Sequence, residues 1–122
     1  MPYKVKFQAT GVIIHFYGVV TRDDFIASGQ EMWGQQNWDK AEYEIADLSE
    51  AITVDISEDC AMEIAHLDNA ATLSSLRHKV AIIATKPEVI HLAQIYAKSV
   101  VNWNWEARTF NDMDSALAWA TE

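Results

Sequence analysis

Residues 3–8 alternate, with Tyr3, Val5 and Phe7 on one side and Lys4, Lys6 and Gln8 on the other. A period of two is that of a strand with one solvated face, at a sheet edge or in a hairpin. Thr10-Gly11 supplies its turn. Residues 12–20, VIIHFYGVV, are almost continuously apolar and β-branched, which predicts a strand buried on both faces. The period then changes to that of a helix. Thr21-Arg22-Asp23-Asp24 resembles a capping box with Asp in place of Glu, and Phe25, Gly29, Met32 and Trp33 fall at helical spacing over about residues 22–36. Asn37 to Lys40 reads as a loop, residues 43–48 (YEIADL) as a short third strand, and Ser49 to Ile56 as a connection. Ser57 is the next N-cap candidate, with Glu58 and Asp59 in the first turn. Cys60, Ile64, Leu67 and Ala71 make the apolar stripe of a helix predicted over about 58–75. Lys79 to Ala84 is a second doubly buried strand. Pro87 suits the first position of a helix with Val89, Leu92, Tyr96 and Val100 inward. Residues 105–110 form a fifth strand. Asn111 or Asp112 caps a last helix carrying Met113, Leu117 and Ala120.

The order is β-β-α-β-α-β-α-β-α. Strands alternating with helices imply right-handed crossovers and a mostly parallel sheet. The expected fold is therefore α/β: about five strands, the first antiparallel, residues 12–20 and 79–84 central, and four helices on both faces. No linker or repeat interrupts the 122 residues, so a single domain is expected. Half the residues are apolar and 22% are charged, a globular balance that excludes disorder and coiled coil.

Charge changes the picture further. The formal net charge is -9, which argues against nucleic-acid binding through a basic footprint. Thirteen acids and one base, Lys40, lie between Asp23 and Asp68, so that stretch carries -12 and the remainder +3. Such a stretch is a solubilising surface or an attractor of a basic partner. One cysteine, Cys60, excludes an intrachain disulfide framework. No apolar run approaches the roughly 20 residues that span a bilayer, and no signal-peptide pattern opens the chain. A cytoplasmic bacterial protein is expected.

Catalytic signatures are sparse. The four glycines (Gly11, Gly18, Gly29, Gly34) write no dinucleotide or phosphate-loop motif and no nucleophile elbow. No cofactor or metal is expected, because His15, His66, His78 and His91 show no ligand spacing. His15 reads as a sheet-face histidine. Cys60 and His66 stand six apart on one helix and do not face each other. Cys60 reads as a buried thiol. Asp47 and Asp55 could approach one rim as a carboxylate pair, although capping is their commoner use. Trp105 and Trp119 fit core positions and Trp33 covers the sheet. Trp38 and Trp103 fall near element ends, as lids over the core or as contact surface.

The pattern Asp47-Leu48-Ser49 through Asp55-Ile56-Ser57, followed by the strand KVAIIA and the terminal FNDMDSALAW helix, resembles the SpoIIAA-like group of the STAS/SEC14-like superfamily. The resemblance covers essentially the whole chain and implies one sheet of about five strands with helices packed on it. In the anti-anti-sigma members of STAS, a serine directly after an Asp in this loop is phosphorylated by a partner kinase. Here Ile56 follows Asp55, Ser57 comes one position later, and Glu58-Asp59 would repel a phosphate.

In open α/β sheets, ligands sit beyond the carboxyl ends of parallel strands. That rim gathers Thr21, Ser49, Asp55, Ser57, Thr85 and Lys86, with Asn111 and Asp112 beside them. The expected function is a non-catalytic binding module for a protein partner or a small amphipathic or anionic ligand. The alternatives are a small enzyme using rim carboxylates and a histidine, or a phospho-regulated anti-sigma-factor antagonist. A weak homodimer is a further expectation, built on the edge strand and on Trp38 and Trp103.

Overall fold

A computed structural model describes residues 2–71, 78–100 and 105–122. The predicted helix residues 72–75 and Trp103 lie outside them. Strand β1 (Tyr3–Phe7) turns back into β2 (Gly11–Thr21), and α1 (Arg22–Trp33), a short 3-10 turn (Gln36–Lys40) and β3 (Tyr43–Asp55) follow. Then come α2 (Glu58–Ala71), β4 (His78–Ile83), α3 (Pro87–Lys98), β5 (Trp105–Phe110) and α4 (Met113–Ala120). The sheet order is β1-β2-β3-β4-β5, with β1 antiparallel to β2 and every later pair parallel.

The crossovers all step in one direction along the sheet, and right-handed connections of that kind place their helices on a single face. Tyr3, Val12, Ile14, Phe16, Val80 and Ile82 pack there with Met32, Trp38, Val89 and Ala93. Among the described residues the opposite face has only α4, whose Ala116, Trp119 and Ala120 cover Ile13, Tyr43, Ile45, Ala81 and Ile83. Both faces are thus helical, three helices against one, and β4 is buried on both, as its apolar run predicts.

Three expectations are corrected. The central strand is β3, with β2 and β4 flanking it. The outer half of β2 is not covered on both faces: Tyr17 is 45% exposed and Val19 57%. The eight residues of α4 span about 12 Å, whereas the eleven of β2 span about 36 Å, so α4 cannot shield that strand's length. Residues 49–55, expected as a connection, continue β3 and pair with β2 up to Thr21↔Asp55. The β-branched Ile52, Thr53 and Val54 sustain the ladder after polar Ser49 and Glu50 interrupt the apolar pattern. Beyond the pair Asp47↔Ile83, β3 has no partner in β4, so β2 and β3 protrude together.

Two glycines shape this ladder. At Gly11, where β2 begins, a Cβ would collide with the Tyr43 ring. Gly18 has φ 68°, a conformation glycine adopts without strain. It lies between two register shifts, His15/Tyr17 and Gly18/Val19, at which β3 holds extra residues against β2. Such bulges re-aim the side chains around them.

In α2 the buried positions are Ala61 and Ala65, one residue out of phase with the expected stripe. Leu67 is 40% exposed, because the small alanines allow close approach of α2 to its neighbours and turn the bulkier side chain outward.

Candidate functional site

The strand-end rim is occupied largely by its own hydrogen bonds. Asp24 accepts from the Thr21 backbone N–H at 2.8 Å and from the Thr21 hydroxyl at 2.9 Å, the reciprocal half of a capping box. The Ser57 hydroxyl accepts the Cys60 N–H at 3.1 Å, and Asp112 accepts the Ser115 N–H at 2.7 Å. Lys86 Nζ donates to the carbonyls of Ala51 (3.0 Å) and Ile52 (2.6 Å). It thereby satisfies the free edge of β3 where β4 has ended. Thr85, Asp55 and Asn111 are exposed nearby. Arg22 forms a two-pronged pair with Glu63, at 2.8 and 3.0 Å, and His91 lies 3.4 Å from Glu58.

Asp47 and Asp55 do not form a carboxylate pair, and Asp47 takes the commoner local role by accepting the Ser49 N–H. Both stand on one strand, eight residues apart, which is about 26 Å of rise. Asp47 instead meets His15, its register partner on β2. His15 Nδ1 lies 3.2 Å from Asp47 Oδ2, and Ser49 gives Asp47 Oδ1 both its N–H (3.0 Å) and its hydroxyl (2.6 Å). The carboxylate is therefore the hub. Ser49 donates to the acid and not to the imidazole, so His15 has no hydroxyl to activate within this group. The trio lies on the sheet face that α4 leaves open, with the His15 side chain 42% exposed.

The same protruding segment carries an apolar patch. Tyr17, Val19 and Ile52 (68% exposed) are three of the five large hydrophobic side chains most open to solvent among the described residues. Two acids of β3 stand in the same segment: Glu50 pairs with Tyr17 and Asp55 with Thr21.

Beneath α1, α2 and α3 lies a separate site that the sequence reading missed. A cavity of about 80 Å³ is bounded by Ile14, Phe16, Met32 and Ile82 among other apolar side chains, with Glu44, Asp68 and Tyr96 in its wall. Glu44 is buried at 7% exposure. Burial, and secondarily the charge of Asp68, hold its carboxyl well above the ordinary range. Asp68 is half-buried as a residue, but its carboxylate turns inward to accept the Tyr96 hydroxyl at 2.5 Å. Burial raises its pKa to about 7 against the opposing pull of that hydrogen bond. Burial, then the two acids, push the Tyr96 hydroxyl well up. Both carboxyls thus keep their protons to higher pH than acids in water do.

His78 is a further buried ionisable group, 1% exposed. It sits against Trp38 and Trp105, with ring centroids at 4.9 and 6.4 Å, and neither ring nitrogen has a hydrogen-bond partner among the described residues. Burial lowers its pKa to about 4, while the Ala41 backbone, outside hydrogen-bond geometry, pulls weakly the other way. Trp38 is 6% exposed, so it is a core residue and offers no surface for self-association. Trp105 and Trp119 occupy the core as expected. Cys60 is half-buried, its thiol pushed up by burial. Among the described residues no three His, Cys, Asp or Glu side chains gather to hold a metal, and no helix is long and apolar enough to cross a membrane.

No family model and no curated protein matches the chain. Solved structures do. A protein of the DUF3478 family with a SpoIIAA-like fold, from Shewanella loihica PV-4, matches with a TM-score of 0.61 at 16% identity, over 97% of this chain and 91% of its own. The anti-sigma factor antagonist SpoIIAA in its unphosphorylated form matches with a TM-score of 0.62 at 6% identity, over 98% of this chain and 96% of its own. The chain has the SpoIIAA-like fold that its Asp47–Ser57 pattern and terminal helix imply.

Proposed function

We propose that this domain is a non-catalytic binding module whose protein partner docks on the outer half of β2 and β3. The observation that carries the reading is the exposed group Tyr17, Val19 and Ile52 on a strand pair left uncovered by α4 and unpartnered by β4. Apolar side chains exposed together and rimmed by polar residues mark interaction surfaces. Glu50 and Asp55 on the same strand pair favour a basic partner, since complementary potentials speed encounter and reject like-charged competitors. The anti-sigma factor antagonist that shares the fold gives a protein-binding role a precedent. Ser57, whose hydroxyl is engaged as the α2 cap, is then a structural residue and not a phospho-switch.

The test is affinity. Val19→Glu and Ile52→Glu leave the core untouched, because both side chains are exposed. A partner isolated on the wild-type protein and then purified should be basic and should lose at least tenfold in affinity for each variant. Equal affinity for wild type and both variants would overturn the reading.

A second reading, a small enzyme, rests on the 3.2 Å contact of His15 with Asp47, the geometry in which a carboxylate orients an imidazole for acid–base work. It requires a turnover in a substrate screen that His15→Asn abolishes without loss of stability. A turnover that survives His15→Asn would contradict it.

A further inference from the structure

The cavity under α1–α3 has two acids in its wall and one internal donor between them. Glu44 is buried and lines the cavity with Asp68 and Tyr96, and the Tyr96 hydroxyl is given to Asp68 and not to Glu44. A buried polar group without a partner costs free energy, and a buried carboxylate without a counter-charge costs more. The groups facing Glu44 deepen the need. Asp68 from α2 is a second acid, and Tyr96 from α3 spends its proton on Asp68. From α1 come Phe25, Ser28, Gly29 and Met32, none of them charged, and among the described residues no Lys, Arg or His lines the space. The described wall is thus apolar with acids at one place. Its volume of about 80 Å³ is roughly half that of the ~150 Å³ apolar cavity that takes up benzene.

From this we infer that the cavity is a binding site for a small organic cation, a primary alkylammonium of about two to four carbons, whose ammonium pairs with Glu44 and Asp68 and whose carbons fill the apolar remainder. The site is independent of the β2–β3 docking surface. On binding, the ammonium remains protonated, an acid proton leaves Glu44 or Asp68 for the buffer, and the resulting carboxylate pairs with the cation. Binding therefore releases protons. An anionic ligand finds no cation among the described residues that line the space. A longer chain overfills the cavity.

The experiment is a thermal-unfolding and calorimetric titration of the full chain at pH 7 with ethyl-, propyl- and hexylammonium chloride, using sodium chloride, 1-propanol and propionate as controls. Ethyl- and propylammonium should raise the Tm saturably and hexylammonium should act more weakly. Sodium chloride and propionate should give no saturable rise. Heats in two buffers of different ionisation enthalpy should report proton release. Glu44→Gln should lower the propylammonium affinity at least tenfold. In case that variant folds poorly, the methyl signal of Met32, which lines the cavity, should shift with propylammonium in the wild type, while that of Met113 on the opposite face should not. A propanol effect equal to that of propylammonium, no saturable shift with any amine, or an unmoved Met32 signal would overturn the proposal.

Discussion

Gly11 and Ser57 are two positions at which a single atom decides the local structure. A methyl group at Gly11 would occupy the space of the Tyr43 ring. Overpacking of this kind costs about 1–3 kcal/mol, so Gly11→Ala should lower stability by that amount in denaturant unfolding. The penalty should largely vanish in a Tyr43→Ala background; a penalty of the same size there would show that the ring is not its cause. At Ser57 the lost group is a cap. Ser57→Ala removes the acceptor for the Cys60 N–H and should cost about 0.5–2 kcal/mol while leaving partner affinity unchanged. Undiminished stability together with lost binding would make Ser57 a functional residue. Legibility at this scale followed distance along the chain. Thr21, Ser57, Pro87 and Asp112 announced themselves because a cap lies within four residues of what it satisfies. Glu44, Asp68 and Tyr96 did not, because they meet from three elements 24 and 28 residues apart, and nothing in YEIADL marks its glutamate as the inward polar residue.

Among the elements, β3 departs most from its sequence pattern. The pair Ser49-Glu50 ends the apolar run, so the sequence reading stops the strand at Leu48. The ladder continues because the extra residues of β3 are absorbed at register shifts around Gly18, a two-strand property that neither sequence segment displays alone. In α2, stripe periodicity pointed to Cys60 and Leu67, whereas the contacts select the smaller Ala61 and Ala65. Strands β4 and β5 and helices α3 and α4 were legible because each combines a clean period with a local boundary such as Pro87 or Asp112. The protruding β3 edge is held by Lys86, whose ammonium takes two carbonyls. Charge-assisted hydrogen bonds contribute about 1.5–3 kcal/mol each where desolvated, less where water competes. Lys86→Met should therefore accelerate amide exchange in residues 50–54 and leave the exchange of β4 unchanged. Uniform acceleration across the sheet would mean that Lys86 stabilises the whole fold and not this edge.

At the scale of the molecule, two buried titrating sites oppose each other. Asp68 titrates at about 7 in the folded protein against about 4 in the unfolded chain. Between those values the folded state holds the extra proton, and stability falls as pH rises. For His78 the folded value is about 4 against about 6.5 unfolded. The unfolded chain then holds the extra proton, and stability rises with pH across that window. Urea unfolding of wild type and Asp68→Asn at pH 4.5, 5.5, 6.5 and 7.5 separates the two. The variant should gain stability relative to wild type as pH rises towards 7, and a parallel profile would contradict the assignment.

The SpoIIAA-like scaffold, with three helices on one face and a short one on the other among the described residues, leaves the outer half of β2 and β3 open, on strands that carry Glu50 and Asp55. The proposed partner lands on that surface. The measurement that tests it most directly is amide hydrogen exchange of the protein with and without its purified partner. Protection confined to residues 16–21 and 50–55, weakening as salt is raised, is the predicted result. Protection centred on β5 or α4, with residues 16–21 and 50–55 exchanging as in the free protein, would contradict it.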